Sequence, residues 1–411
     1  MFSRRDFLCT SLRTSTLVAL TPTVPSFLAQ TARSAPPDRD GRVLVVIQLD
    51  GGNDGINTIV PFADPGYAKQ RKALRLRTDQ LHKIDKEVGF HPAMRDAADL
   101  LQSGRLAIVQ GVSYPNPSRS HFKSMAIWQT ANLNLKSDSD DLETRASFGW
   151  IGQALDGGRR PVDGSPDAVY VGTGSLPAAL RSRRSQASAM TRPEDALLTL
   201  QANARSMIAP VDTGKDLAAF VQRSTLQAYA TSDRMRSLLG ARDQGSRYPE
   251  TGLAQRLQVI ARLLKTGGGT RVFYTSQPAN AYDTHYNQLF THAQLLGELA
   301  GALRAFLDDL ARSGLAERVA VLCFSEFGRR VQENGSQGTD HGTAGPVFVA
   351  GPSVRAGLVG PTPKLLDLQD GDLKVSIDFR QVYATILEDW LGLPARTALA
   401  GDFSRLPIFR S

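Results

Sequence analysis

A chain of 411 residues, 41% hydrophobic and 21% charged, can bury a sizeable core and fits one large α/β domain or two medium ones. Its formal charge is +8, but four Arg against one Asp fall within the first 35 residues, so the remainder is only modestly basic. No Lys/Arg run with interleaved aromatics occurs, which argues against nucleic acid as a partner.

The first segment reads as an address, not as part of a fold. "SRRDFL" sets Arg4 and Arg5 ahead of Asp6, Phe7 and Leu8, and the weakly apolar "TLVALTPTVPSFLA" that follows is broken by Pro22 and Pro25. That stretch is too short to span a bilayer as a lasting helix. Residues 1–35 look like a twin-arginine export signal. The expectation is a protein that folds in the cytoplasm, crosses as a folded body and works in the periplasm or outside the cell, with no lasting transmembrane anchor. Of the two Cys, Cys9 leaves with the signal and Cys323 sits inside the apolar run "VAVLCF". No intramolecular disulfide and no Cys-based metal site is therefore expected.

Next comes "RVLVVIQLD" (42–50), a near-continuous apolar run of the kind buried on both faces of a parallel sheet. "GGNDG" ends it. "HPAMRDAADLLQSG" (91–104) predicts a helix closed by Gly104, and "RLAIVQGV" (105–112) a second buried strand. Residues 130–268 are expected to be helices and loops partly covering the sheet, with polar loops at 133–147 and 181–195 and helical periodicity at 214–240 and 252–266. "RVFYTSQ" (271–277), a long helical pattern over 285–314, "RVAVLCF" (318–324) and "PVFVAG" (346–351) complete an alternation of strand and helix. Residues 36–411 are thus expected to form a single α/β domain, a doubly wound and mostly parallel sheet with helices on both faces.

Polar residues gather just after these strands. Asp50 ends the first. "SYPNPSRSHF" follows the second, with Ser118, Arg119, Ser120 and His121. Asp283 and His285 follow the third, and Glu326, Asp340 and His341 follow "VAVLCF". Strands of a parallel sheet point their carboxyl ends one way, so groups scattered along the chain can converge there. Asp, Glu and His are oxygen and nitrogen ligands of divalent ions, and a set this large serves one or two of them. Zinc, manganese and calcium are the candidates. A Ser held near such an ion loses its proton readily and becomes a nucleophile, and Arg119 can grip an oxyanion. Each residue also has a structural reading. Asp50 turns the chain with Gly51 and Gly52, Ser118 and Ser120 cap the helix that follows, Asp283 caps the long helix, and Glu326 pairs with Arg329. His121 is read either as ligand or base, or as a buried hydrogen-bonded residue. His82, His91 and His292 lie off the strand ends and read as structural.

In this order "VIQLDGGNDGINTIVP", "LAIVQGVSYPNPSRSHF", "YDTH", "SEFGR" and "GTDHG" resemble the DUF1501 family, which is grouped with the alkaline phosphatase and sulfatase superfamily. The resemblance spans about residues 42–390. It implies an alkaline-phosphatase-like core and, often, two metal ions with a Ser or Thr nucleophile. It makes Asp50 the first-strand carboxylate ligand, places Ser120 or Ser118 in the nucleophile region, and makes Asp283, His285 and His341 look like ligands. Glu326 is followed by Phe327 where the superfamily often has His, which puts a second ion in doubt. The function expected is a metal-dependent hydrolase of phosphate or sulfate esters, acting on a small-molecule or glycan ester with Ser120, Arg119 and His121 as catalytic residues. Asp50, Asp283, His285, Glu326, Asp340 and His341 are its metal ligands. The alternative is a non-catalytic binder of anionic glycans or of a protein partner through the same cleft. Neither reading gives an oligomeric state.

Overall fold

The computed structural model describes residues 41–135, 148–158, 161, 165–191 and 247–410. The export signal, most of the 133–147 loop and the 214–240 helical pattern lie outside the described residues.

Among the described residues nine strands form the central sheet: β1 (Val43–Gln48), β2 (Leu106–Ser113), β3 (Ala168–Val171), β4 (Ala187–Met190), β5 (Val272–Ser276), β6 (Val319–Phe324), β7 (Gly345–Ala350), β8 (Gly357–Val359) and β9 (Ile377–Asp378). Their order is β8-β2-β7-β6-β1-β5-β3-β4, with β9 also pairing β2. Every pairing is parallel except those of β7, which runs against both β2 and β6. The sheet is thus mostly parallel, as the apolar runs imply.

Helices cover both faces, and β1 shows why. All six of its residues are buried. Val43, Val45 and Ile47 pack with α1 (Arg95–Gln102), α4 (Gly252–Lys265) and α5 (Gln288–Arg312). Leu44 and Val46 join the opposite core with α2 (His121–Thr130), α3 (Trp150–Asp156) and α6 (Phe379–Thr385). Alternation along one strand feeds two cores, each fully buried aliphatic side chain contributing about 1.5–3 kcal/mol.

Two features differ from the sequence reading. Residues 168–171 and 187–190, taken as part of a helical and loop cover, extend the sheet as β3 and β4. Four-residue strands are too short to show a period that separates them from loop. The direction of β7, which the sequence reading did not give, is the second. The 325–344 connection stays at the edge where β6 ends, so β7 re-enters antiparallel. A parallel return would need a crossover to the far edge.

The register places the site. Gln48 of β1 is level with Ser276 of β5 and with Phe324 of β6. The segments from residues 49, 277 and 325 therefore leave one edge side by side, and β7 starts opposite Val112 near the end of β2.

Candidate metal centre

Three histidine rings and one carboxylate meet at that edge. His121 is the first residue of α2, just after β2. Asp283 and His285 lie in the segment between β5 and α5, and His341 in the β6–β7 connection. The Nε2 atom of His341 is 3.0 Å from that of His121 and 2.9 Å from that of His285. Asp283 Oδ1 lies 3.4, 3.0 and 3.1 Å from the Nε2 atoms of His121, His285 and His341.

The opposite nitrogen of each ring has its own acceptor. His121 Nδ1 donates to Glu326 Oε1 at 2.7 Å, His285 Nδ1 to Asp340 Oδ1 at 3.2 Å, and His341 Nδ1 to the Arg119 carbonyl at 2.7 Å. Those acceptors hold the protons on Nδ1, so in the neutral rings all three Nε2 lone pairs face inward. Three lone pairs and a carboxylate oxygen at such separations repel one another unless a metal ion, or a proton on one of the Nε2 atoms, lies among them. Ligands about 2.0–2.1 Å from a tetrahedral zinc stand about 3.3 Å apart, close to the separations among His121, Asp283 and His341, with His285 set against His341 and Asp283. Carboxylate or carbonyl acceptors behind ligating histidines are the usual outer support of a metal site. Among the described residues His121, Asp283 and His341 therefore form a group that fits a divalent ion, and His285 adjoins it.

Arg329 anchors the carboxylate. Its buried guanidinium donates to Asp283 Oδ1 at 2.6 Å and to the carbonyls of Gly51, Gly52, Tyr282 and Thr339. Burial alone would raise the Asp283 pKa, but Arg329, with help from His341, pulls it down to about 2. For His121 burial favours the neutral ring, yet the Glu326 carboxylate outweighs it and raises the pKa; for His341 burial prevails and lowers it. Phe327 packs its ring 4.8 Å from that of His121 and 5.0 Å from that of His341, an apolar wall where a further histidine had been in question.

Glycine lets the segments approach. Gly51 has φ +109°, and a Cβ there would stand 2.6 Å from the Asp283 nitrogen. A Cβ on Gly338 would meet the His285 carbonyl carbon at 2.2 Å. The Gly-rich composition of the "NGSQGTDHG" stretch is thus a condition of bringing His341 against His285.

The structure sorts the candidate residues. Asp283, His285 and His341 converge, and His121 joins them. Glu326 and Asp340 stand behind the rings instead. Glu326 is buried and also accepts from Gly51 N and Ser325 Oγ, so it pairs with His121 and not with Arg329. Asp50 accepts from Asn280 N and Gln48 Nε2, and burial raises its pKa. It ties β1 to the segment that carries Asp283. Ser120 stands at the N-cap of α2 with a long 3.5 Å bond from Lys123 N. The Arg119 guanidinium pairs with Asp372. His82, His91 and His292 are held by structural bonds elsewhere. The sequence reading missed two residues: Arg329 as the clamp of Asp283, and Asn334, which donates to Asp340 and to the His285 carbonyl. An Arg and an Asn flanking the ligand loop were the only signal.

A mostly parallel α/β sheet with a histidine–carboxylate cluster at its carboxyl edge defines an α/β protein with a candidate metal centre. Residues 41–401 match the model of the family described as "Protein of unknown function (DUF1501)", and the chain belongs to that family, as its motifs implied. No curated protein matches it. Among solved structures the chain is similar to the PsFucS1 sulfatase from Pseudoalteromonas sp. at 10% identity and TM-score 0.40, covering 92% of this chain and 74% of that one. It is also similar to a protein in the alkaline phosphatase superfamily from Vibrio parahaemolyticus, at 11% identity and TM-score 0.37, over 87% and 71% of the two chains. The lipoteichoic acid synthase LtaP from Listeria monocytogenes aligns at 10% identity and TM-score 0.36, over 85% and 79%. Among the described residues no helix is long and apolar enough to cross a membrane.

Proposed function

We propose that the protein is an exported hydrolase of phosphate or sulfate esters that holds one divalent ion with His121, His285, His341 and Asp283. The observation that carries this reading is the meeting of three inward Nε2 atoms with the Asp283 carboxylate. Three nitrogens and one oxygen suit zinc or manganese; calcium takes oxygen ligands almost alone. When bound, the ion supplies Lewis-acid polarisation of an ester oxygen. The chain supplies the rest. Arg329 keeps Asp283 ionised and in place. Glu326, Asp340 and the Arg119 carbonyl hold each imidazole proton on Nδ1. Ser120, only loosely engaged as a cap, stands next to His121 as the candidate nucleophile. Arg119 is the candidate oxyanion contact, once free of Asp372.

A test combines elemental analysis of natively exported protein with turnover of 4-nitrophenyl phosphate and 4-nitrophenyl sulfate by the zinc- and manganese-loaded chain. The expected result is one equivalent of ion per chain and turnover that Ser120→Ala lowers roughly a hundredfold or more. One observation favours a second reading, a non-catalytic binding protein: Glu326, Asp340 and Asp50 all stay out of the cluster, which leaves one centre and not two. Metal-loaded protein that turns over neither aryl ester would decide for that second reading.

A further inference from the structure

A cleft of about 460 Å³ opens beside the metal centre, lined by Asp50, Phe122, Gln129, Tyr170, Arg256 and Ser276 among others. That is within the range of small-molecule sites, roughly 300–1,000 Å³. Phe122 follows His121, and Asp50 holds the segment that leads to Asp283, so the lining of the cleft adjoins the candidate centre although none of the four clustered residues lines it.

Two of the lining charges are not neutralised inside the protein. Arg256 is half-buried. Its Nε donates to Thr275 Oγ1 at 3.2 Å and its Nη2 to the Ser276 carbonyl at 2.7 Å, both neutral acceptors. Among the described residues no carboxylate hydrogen-bonds to it; Tyr170 and Glu298 act on it only through space, and burial outweighs them and lowers its pKa. A guanidinium taken partly out of water with no carboxylate in direct contact is costly, and an anion arriving in the cleft repays that cost. At Asp50 each carboxylate oxygen accepts one hydrogen bond, from Asn280 N and Gln48 Nε2, and keeps a lone pair for a further donor. Hydroxyl groups supply such donors, and an anion beside Asp50 would be repelled. Phe122, 68% exposed, offers a flat apolar face at the rim.

We propose that this cleft receives the alcohol half of the ester, and that the alcohol is a sugar-like polyol bearing a second anionic group. Arg256 takes the anion, Asp50 accepts from hydroxyls, and Phe122 packs against the ring. The inference rests on the ester-hydrolase reading for the word ester alone; the glycan-binding part stands without turnover. An apolar alcohol is disfavoured, because it would leave both Asp50 and Arg256 desolvated and unpaired.

The test is binding of the zinc-loaded mature chain to an array of neutral, uronic-acid-containing and sulfated oligosaccharides. The array should retain the protein on the uronic and sulfated members and at least tenfold less on the neutral ones, since a charge-assisted bond differs from a neutral one by about that factor. Arg256→Gln should abolish the preference, and Arg256→Lys should keep it. Arg77→Gln removes the same unit of charge from an exposed ion pair outside the cleft and should change nothing. Protein stripped of metal by a chelator should bind the anionic glycans within about threefold of the zinc-loaded chain; this separates failure of the metal reading from failure of this one. The inference is overturned if no oligosaccharide is retained, if neutral members bind equally, or if a correctly melting Arg256→Gln protein keeps the preference. It is also overturned if the chelator-stripped protein loses glycan binding, for then the metal centre and not the cleft is the receptor.

Discussion

The Nδ1–H of each clustered histidine donates to an acceptor of different strength, and this ranks the residues of the candidate centre. His341 is the hub, because its Nε2 touches both other rings and Asp283. His341→Ala is expected to cut bound ion from one equivalent to below a tenth, read by elemental analysis after gel filtration. Glu326→Gln leaves all four inward atoms in place and weakens only the support of His121. It should lower metal affinity by about 10–100-fold without abolishing binding. Deeper in, Arg71 and Asp54 form an ion pair whose side chains are both fully buried, at 2.5 Å. Burial alone would raise Asp54, but Arg71 outweighs it and brings the pKa from 3.8 down to about 2. A depressed carboxylate contributes stability that is present above the unfolded pKa and lost as pH falls through the folded one, here on the order of 2 kcal/mol between pH 4 and pH 2. The double variant Asp54→Asn with Arg71→Met should flatten that part of the urea-midpoint profile. Arg71→Met alone strands a buried charge and should cost about 3–5 kcal/mol.

At the scale of elements, the centre depends on how closely three loops approach. Gly51 and Gly174 make a controlled comparison, since both have positive φ, +109° and +113°. A Cβ on Gly51 collides with the Asp283 nitrogen, whereas nothing lies within 4 Å of one on Gly174. Both alanine variants meet a backbone strain of roughly 1–2 kcal/mol. Only Gly51→Ala should also displace the segment carrying Asp283 and His285, and so weaken zinc binding in a calorimetric titration. Equal zinc affinity in the two variants would show that the loop tolerates the shift. The start of α2 offers a second case. Ser120→Ala removes a helix cap and should lower stability by at most about 1 kcal/mol, the long bond to Lys123 N placing it toward the low end. A loss of turnover far beyond what that destabilisation explains would mark Ser120 as the nucleophile; unchanged turnover with earlier melting would mark it as a cap alone.

For the whole molecule, an ion bound only by the folded state stabilises it by mass action, about 2.7 kcal/mol at a hundredfold excess over Kd. Chelation should therefore lower the melting temperature, and zinc should restore it. Melting that ignores both chelator and zinc would sink the metal reading. The export reading is tested separately. Arg4→Lys with Arg5→Lys should hold the protein in the cytoplasm, and normal delivery of that variant across the membrane would refute a twin-arginine route.

The sequence by itself determined the sheet and its working edge. Continuous apolar runs such as "VLVVI" and "VAVLCF" suit only strands buried on both faces, and parallel strands carry their following residues to one side. That is why Asp283, His285 and His341 were legible as converging metal-ligand candidates, with His121 beside them as ligand or base, although 220 positions separate His121 from His341; Asp50, Glu326 and Asp340, read as ligands too, stand outside the cluster. What only the tertiary structure decided was the part each plays. Whether Glu326 ligates an ion or backs His121 turns on one Nδ1–Oε1 bond of 2.7 Å, and whether Arg329 pairs with Glu326 or clamps Asp283 turns on side-chain direction. The antiparallel return of β7 and the two short strands β3 and β4 escaped for a related reason. Residue type and strand period are local and written in order along the chain; which acceptor a ring nitrogen reaches depends on ångström-scale positions set by segments that meet only after folding.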